Sequence, residues 1–214
     1  MEQTSQRLQS RGEEIANTIS HGFGLVAALV VAPVLVLYAI RRGPVSTVVG
    51  TAVFGLTLVA VYLASTIYHA LPESKAKRMF LVLDQSAIFA LIAGTYTPFT
   101  LGVLRGGWGW TLLALAWSVA VAGVILRAIV GVQNPRLLTC LYLAAGWLAL
   151  IAIRPLWLRV PVAGLMWIMA GGVAYTAGIG FLAAERVRYS HFVWHLFVLA
   201  GSLCHILAVL WYSA

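Results

Sequence analysis

Seven long apolar runs, parted by short polar breaks, dominate the pattern of this chain. They fall at about 19–40, 46–71, 79–103, 108–130, 137–153, 161–184 and 190–212. A bilayer core takes about 20 apolar residues per helical span, so each run predicts one transmembrane helix. The breaks are Arg41-Arg42-Gly43-Pro44, Pro72 to Arg78, Arg105-Gly106-Gly107, Gln133-Asn134-Pro135-Arg136, Arg154 to Pro161 and Glu185 to Tyr189. Their Pro and Gly residues end helices, the first by lacking an N–H and the second by freeing the backbone. No run alternates as a strand would, which excludes a transmembrane barrel. The expected fold is all-α, a polytopic seven-transmembrane helix bundle. A short polar segment, 1–18, precedes a single membrane domain, 19–214.

Composition supports this reading. The chain is 62% hydrophobic and 9% charged, with a mean hydropathy of +0.95, and it lacks the polar surface a soluble domain of its size needs. The net charge of +8 is spread in pairs and triplets between apolar runs. That distribution suits anchors for lipid headgroups and not a nucleic-acid partner. Cys140 and Cys204 lie inside apolar runs and read as buried packing residues, with no disulfide framework implied. Residues 1–17 lack a basic leader, and the next apolar run is too long for a signal-peptide core, so the first helix is expected to act as its own insertion signal.

Orientation follows from Lys and Arg. Nine lie in the N-terminal segment and the even-numbered breaks, against five on the other side. The side richer in these residues is expected to be cytoplasmic. This places the N-terminus inside and the C-terminus outside the cell membrane. The six acidic residues lie on or near the same side but carry little weight in this rule.

Polar residues inside the runs are the candidates for chemistry, because ionisable groups are costly in lipid. The second run ends Ser65-Thr-Ile-Tyr-His69, the third opens with Asp84, and the seventh opens Ser190-His191-Phe-Val-Trp-His195. A seven-span serpentine brings these three places to one membrane face. Ser65 and His69, like His191 and His195, are four apart and share a helix face. Three neutral imidazoles would leave one position open on tetrahedral zinc, the pattern of catalytic sites. Asp84, slightly deeper, suits an acid that touches water at the metal and moves its proton. Ser65 could hold the ring of His69 or touch a substrate oxygen. The same four ionisable groups could instead form a proton relay. Glu14, Asn17 and His21 share one face of the first helix and form either a supporting network around the site or a polar helix entry with Asn17 near the cap. His205 lies about 21 Å along the helix from His191 and cannot join the same ion. Within Gly94-Thr-Tyr-Thr-Pro98, Pro98 is expected to kink the third helix. The tryptophans read as interfacial anchors or packing residues.

Glu14-x-x-Asn17-x-x-x-His21, Ser65-x-x-x-His69 with Asp84, and His191-x-x-x-His195 resemble the three motifs of the hemolysin III family. That family belongs with the progestin and adipoQ receptors, which include the adiponectin receptors. The serine, aspartate and histidine set is also similar to that of the alkaline ceramidases. The resemblance runs from Glu14 to His205. It implies a seven-helix bundle with a cytoplasmic N-terminus and one zinc ion held by His69, His191 and His195. It further implies a water between the metal and Asp84, and hydrolysis of lipid amides.

Membrane lipids are the expected partners. The leading expectation is a zinc-dependent intramembrane hydrolase of a lipid amide or ester. Next comes a sensor or regulator of membrane state with a structural zinc. A pore-forming cytolysin ranks lower, since no long amphipathic segment is available to line a pore. Ion or proton transport would need polar residues across the full thickness, and the outer half offers mainly His205.

Overall fold

Ser10 starts the first helix. Its side chain accepts from the Glu13 N–H while the Glu13 carboxylate accepts from the Ser10 N–H, a reciprocal capping box. Helix α1 therefore runs Arg11–Arg42 and begins about two turns before its apolar run. Asn17 lies inside α1, so the reading of Asn17 as a cap is corrected: Ser10 is the cap. The computed structural model describes residues 9–131, 134–184 and 186–213.

The chain continues with α2 (Val45–Ala70), α3 (Lys75–Leu101), α4 (Gly107–Ala128), α5 (Pro135–Gly146), α6 (Ile153–Arg159), α7 (Val162–Ala183) and α8 (Ser190–Tyr212). Helices α5 and α6 form one span through a 3-10 segment, Trp147–Ala152. Among the described residues seven segments are thus long and apolar enough to cross a membrane, the number the sequence pattern predicts.

The break in the fifth span has a visible cause. The Tyr96 hydroxyl, from α3, lies 2.6 Å from the Gly146 carbonyl oxygen and 3.1 Å from that of Ala145. It also accepts from the Ala149 N–H at 3.0 Å. In an α-helix that N–H would bond to the Ala145 carbonyl. A side chain inserted into the ladder is a recognised source of irregularity, and here it diverts the span into 3-10 geometry.

Helices α1, α2 and α3 pack side by side, α4 lies along α3, α7 lies along α8, and α8 closes on α1. The main core joins Ala28 and Leu35 of α1, Phe54 and Leu58 of α2, Leu91 and Phe99 of α3, and Trp194 and Val198 of α8. Small residues allow the close approach of α1 and α2, as is usual between membrane helices. A Cβ at Gly55 would lie 2.8 Å from the Ala32 Cβ, and one at Gly24 would lie 2.7 Å from the Tyr62 ring. Pro98 falls in the last turn of α3, beside the helix end and not at a mid-span bend. Cys140 and Cys204 are free thiols. Cys140 is exposed on the outside of the bundle, so the expectation that it packs inside is corrected.

Candidate metal centre

Helix alternation brings the last turn of α2 beside the first turns of α1, α3 and α8. His69 is buried there, with His195 buried and His191 half-buried opposite it on α8. Their ring centroids form a triangle: 5.0 Å from His69 to His195, 5.1 Å from His69 to His191, and 4.7 Å between the two α8 rings. One nitrogen from each ring lies within 4.8 Å of the other two. A tetrahedral zinc at about 2.0–2.1 Å would draw such nitrogens to separations of roughly 3.4 Å. Small inward side-chain movements cover that difference.

The orientation of the rings favours a cation. His69 Nδ1 lies 2.6 Å from Glu14 Oε2, and a carboxylate there can only accept, so Nδ1 carries the proton. Nε2 of the same ring is buried and has no hydrogen-bond partner. One nitrogen of this ring belongs to the group shared with His191 and His195. Carboxylate, imidazole and open lone pair in series are the usual support for a metal ligand. Glu14 is held in turn by Lys77, whose Nζ is 2.8 Å from Oε1 and also donates to the Leu71 carbonyl.

His195 is set in the same way by different partners. The Ser20 hydroxyl donates to the Asn17 carbonyl oxygen at 2.9 Å, leaving its oxygen to accept from His195 Nδ1 at 3.1 Å. Nε2 then remains as the free nitrogen. The ring of His21 stacks on that of His195, with centroids 3.4 Å apart and planes 8° from parallel. His21 therefore fixes the plane of the His195 ring and stands outside the three-ring group.

Ser65 stands beside His21 and near Asp84. Its oxygen is 2.7 Å from His21 Nδ1. With His21 Nδ1 donating, the Ser65 O–H is left for another acceptor. Asp84 lies outside the group of ligand atoms. Holding His69 was one of the two roles expected of Ser65; its hydrogen-bond partner is instead His21.

The first turns of α1 and α8 are tied together. The Glu13 carboxylate accepts from the Tyr189 N–H at 2.8 Å, and Tyr189 caps α8 in a left-handed conformation, φ 59°. An anion suits a helix N-terminus. His191 follows directly.

Glu14, Asn17, His21, Ser65, His69, Asp84, His191 and His195 thus meet at one end of the bundle. Sequence reasoning missed Lys77, Ser20 and Glu13. Lys77 resembled a headgroup anchor because it lies in a basic break. Ser20 had a signal in its spacing, three residues after Asn17. His205 lies elsewhere, bonded through Nε2 to the Ile168 carbonyl at 3.3 Å. Nearby, the hydroxyls of Tyr62 and Tyr175 meet Ser202 at 2.7 and 3.0 Å.

The model of the family described as haemolysin-III related matches residues 9–206. Hemolysin-3 of Bacillus cereus is 40% identical over 200 residues, covering 94% of this chain and 91% of its own length. The Hemolysin-3 homolog of Bacillus subtilis (strain 168) is 38% identical, covering 94% of both chains. Monocyte to macrophage differentiation factor of Homo sapiens is 24% identical over 207 residues, 92% of this chain and 83% of that protein. No solved structure matches the chain.

Proposed function

The chain belongs to the haemolysin-III-related family, within the progestin and adipoQ receptor superfamily, and from that premise we propose that it is a zinc-dependent intramembrane hydrolase of a lipid amide or ester. The single observation that carries this reading is the His69 ring. Its Nδ1 is held by Glu14, while its buried Nε2 has no partner among the described residues, in a ring grouped with those of His191 and His195. A buried lone pair left unmatched is costly, and a cation removes the cost.

Zinc would be held by His69, His191 and His195, and when bound it supplies Lewis acidity that polarises a carbonyl and acidifies water. Asp84 accepts the proton of the attacking water and returns it to the departing amine or alcohol. Ser65, anchored by His21, orients the Asp84 carboxylate through its O–H. Glu14 and Lys77 keep the lone pair of His69 aimed inward. The protein resides in the cell membrane with its N-terminus in the cytoplasm, so the centre opens near the inner leaflet.

Metal content by mass spectrometry tests the site. Purified wild type should carry zinc, and the His191→Ala/His195→Ala variant should carry none. No metal in wild type, purified without chelators, would overturn the reading. Screening lipid amides and esters follows, with Asp84→Ala expected to keep its metal and lose turnover.

A second reading has its own observation. The Glu13–Tyr189 bond and the three histidines pin α1, α2 and α8 at one end, as a structural metal in a membrane sensor would. Loss of metal would then lower thermal stability with no reaction to measure. Two relatives bear the name Hemolysin-3, and dye leakage from liposomes tests a lytic role directly.

A further inference from the structure

The bundle buries a second cation besides Lys77, and this one has no anion. Arg127, in the last turn of α4, is only 6% exposed. Its Nε donates to the side-chain oxygen of Gln85 on α3. Among the described residues no carboxylate pairs with it. Gln85 is also held from the other side, where the Tyr142 hydroxyl of α5 donates to its main-chain carbonyl oxygen at 2.9 Å. A guanidinium has five N–H donors in a planar fork, and among the described residues only Nε has a hydrogen-bond partner. Charge at membrane depth calls for a partner.

An apolar groove leads up to this arginine. It lies between α3 and α4, has a volume of about 150 Å³, and is lined by Ala90, Trp117, Ala120, Val121, Val124 and Ile125. No polar group lines it. Residues 117, 120, 121 and 124 share one face of α4 at helical spacing, and 127 continues that face by one turn. Val121 and Ile125 are 53% and 42% exposed, so the groove opens to the outside of the bundle. The small side chains of Ala90 and Ala120 leave the room.

We propose that this groove binds one phospholipid with a net negative headgroup, from the leaflet next to the metal centre. An acyl chain lies along α4 from Trp117 to Ile125, and the phosphodiester accepts from the free N–H groups of Arg127. Guanidinium and phosphate match as a planar fork and a pair of oxygens. A zwitterionic lipid would satisfy the hydrogen bonds but bring its own cation, leaving the charge of Arg127 unbalanced. The site is separate from the proposed hydrolase chemistry and does not depend on it.

Bromine on an acyl chain quenches a tryptophan it touches, and Trp117 is in the groove. The full chain is placed in phosphatidylcholine vesicles containing either brominated phosphatidylglycerol or brominated phosphatidylcholine. The Trp117 signal is the difference between wild type and Trp117→Phe. Brominated phosphatidylglycerol should occupy the groove about fivefold more readily than brominated phosphatidylcholine, the factor expected of one cation near an anionic headgroup. In Arg127→Gln the ratio should fall to about one. Val121→Phe, a change on the exposed face that leaves every charge in place, should abolish quenching by both lipids. A ratio near one in wild type overturns the proposal, as does a preference that persists in Arg127→Gln. If Arg127→Gln fails to fold, the wild-type ratio and the Val121→Phe result decide the matter.

Discussion

The two halves of this bundle are built by different rules. Helices α1, α2, α3 and the start of α8 hold the ionisable groups of the candidate centre, and α2 buries residues on every turn. Across the bundle, α7 buries only three glycines and a leucine. In lipid, apolar contact between helices gains little over contact with acyl chains, so α7 fits closely only where Gly164, Gly171 and Gly178 meet α8 and leaves most of its surface to lipid. A polar network in the same solvent has no such freedom, because each unmet hydrogen bond or charge is expensive. The dense half therefore has its geometry dictated by Glu14, Lys77, His69 and their neighbours, and the loose half supplies hydrophobic area.

The strongest way to break this contrast is to remove two ligands. His191→Ala/His195→Ala should take bound metal from about one per chain to none by elemental mass spectrometry. A variant that kept its metal would place the ion elsewhere. Next in size, Asp84→Asn should lower turnover by about 10²–10⁴-fold with metal content unchanged. Loss of metal together with turnover would make Asp84 a ligand instead. Glu14→Gln should weaken metal binding by about 10–100-fold, the usual effect of losing a carboxylate behind a histidine ligand. Competition with a chelator measures this, and an unchanged affinity would leave Glu14 a purely structural partner of Lys77.

Smaller changes compare the halves directly. Gly24→Leu forces a side chain into Tyr62 and Leu199 and should cost about 1–3 kcal/mol. Gly180→Leu, on α7 where nothing lies within 4 Å, should fall within about 0.5 kcal/mol. Unfolding in mixed detergent reads both, and equal effects would erase the distinction between dense and loose halves. Ser202→Ala removes the meeting point of Tyr62 and Tyr175 and should cost about 0.6 kcal/mol per lost bond.

Span number and the clustering of His69, His191 and His195 were legible because both follow from simple periods. A run of apolar residues measures the bilayer, and an i, i+4 pair defines a helix face. Alternating direction then decides which faces meet. What stayed hidden depends on where long side chains end. Lys77 sits in a basic break that reads as a lipid anchor, yet its stem folds inward to Glu14. Tyr96 was visible in its motif, but nothing in the sequence announces that its hydroxyl enters the backbone ladder of the fifth span. The early start of α1 was masked because its first turns face polar neighbours, where hydropathy carries no signal.

The bond between Glu13 and Tyr189 joins the first span of the chain to the last, and synthesis runs from one to the other. His69 leaves the ribosome 122 residues ahead of His191, on the order of ten seconds at ordinary translation rates. Through that interval Glu14 and Lys77 can already position His69, while the other two histidines do not yet exist. A three-histidine centre can form only after α8 has inserted and its first turn has reached Glu13. Under the proposed function, metal capture would thus report that all seven spans are in place, and a chain stalled after α7 would have no means of retaining the ion.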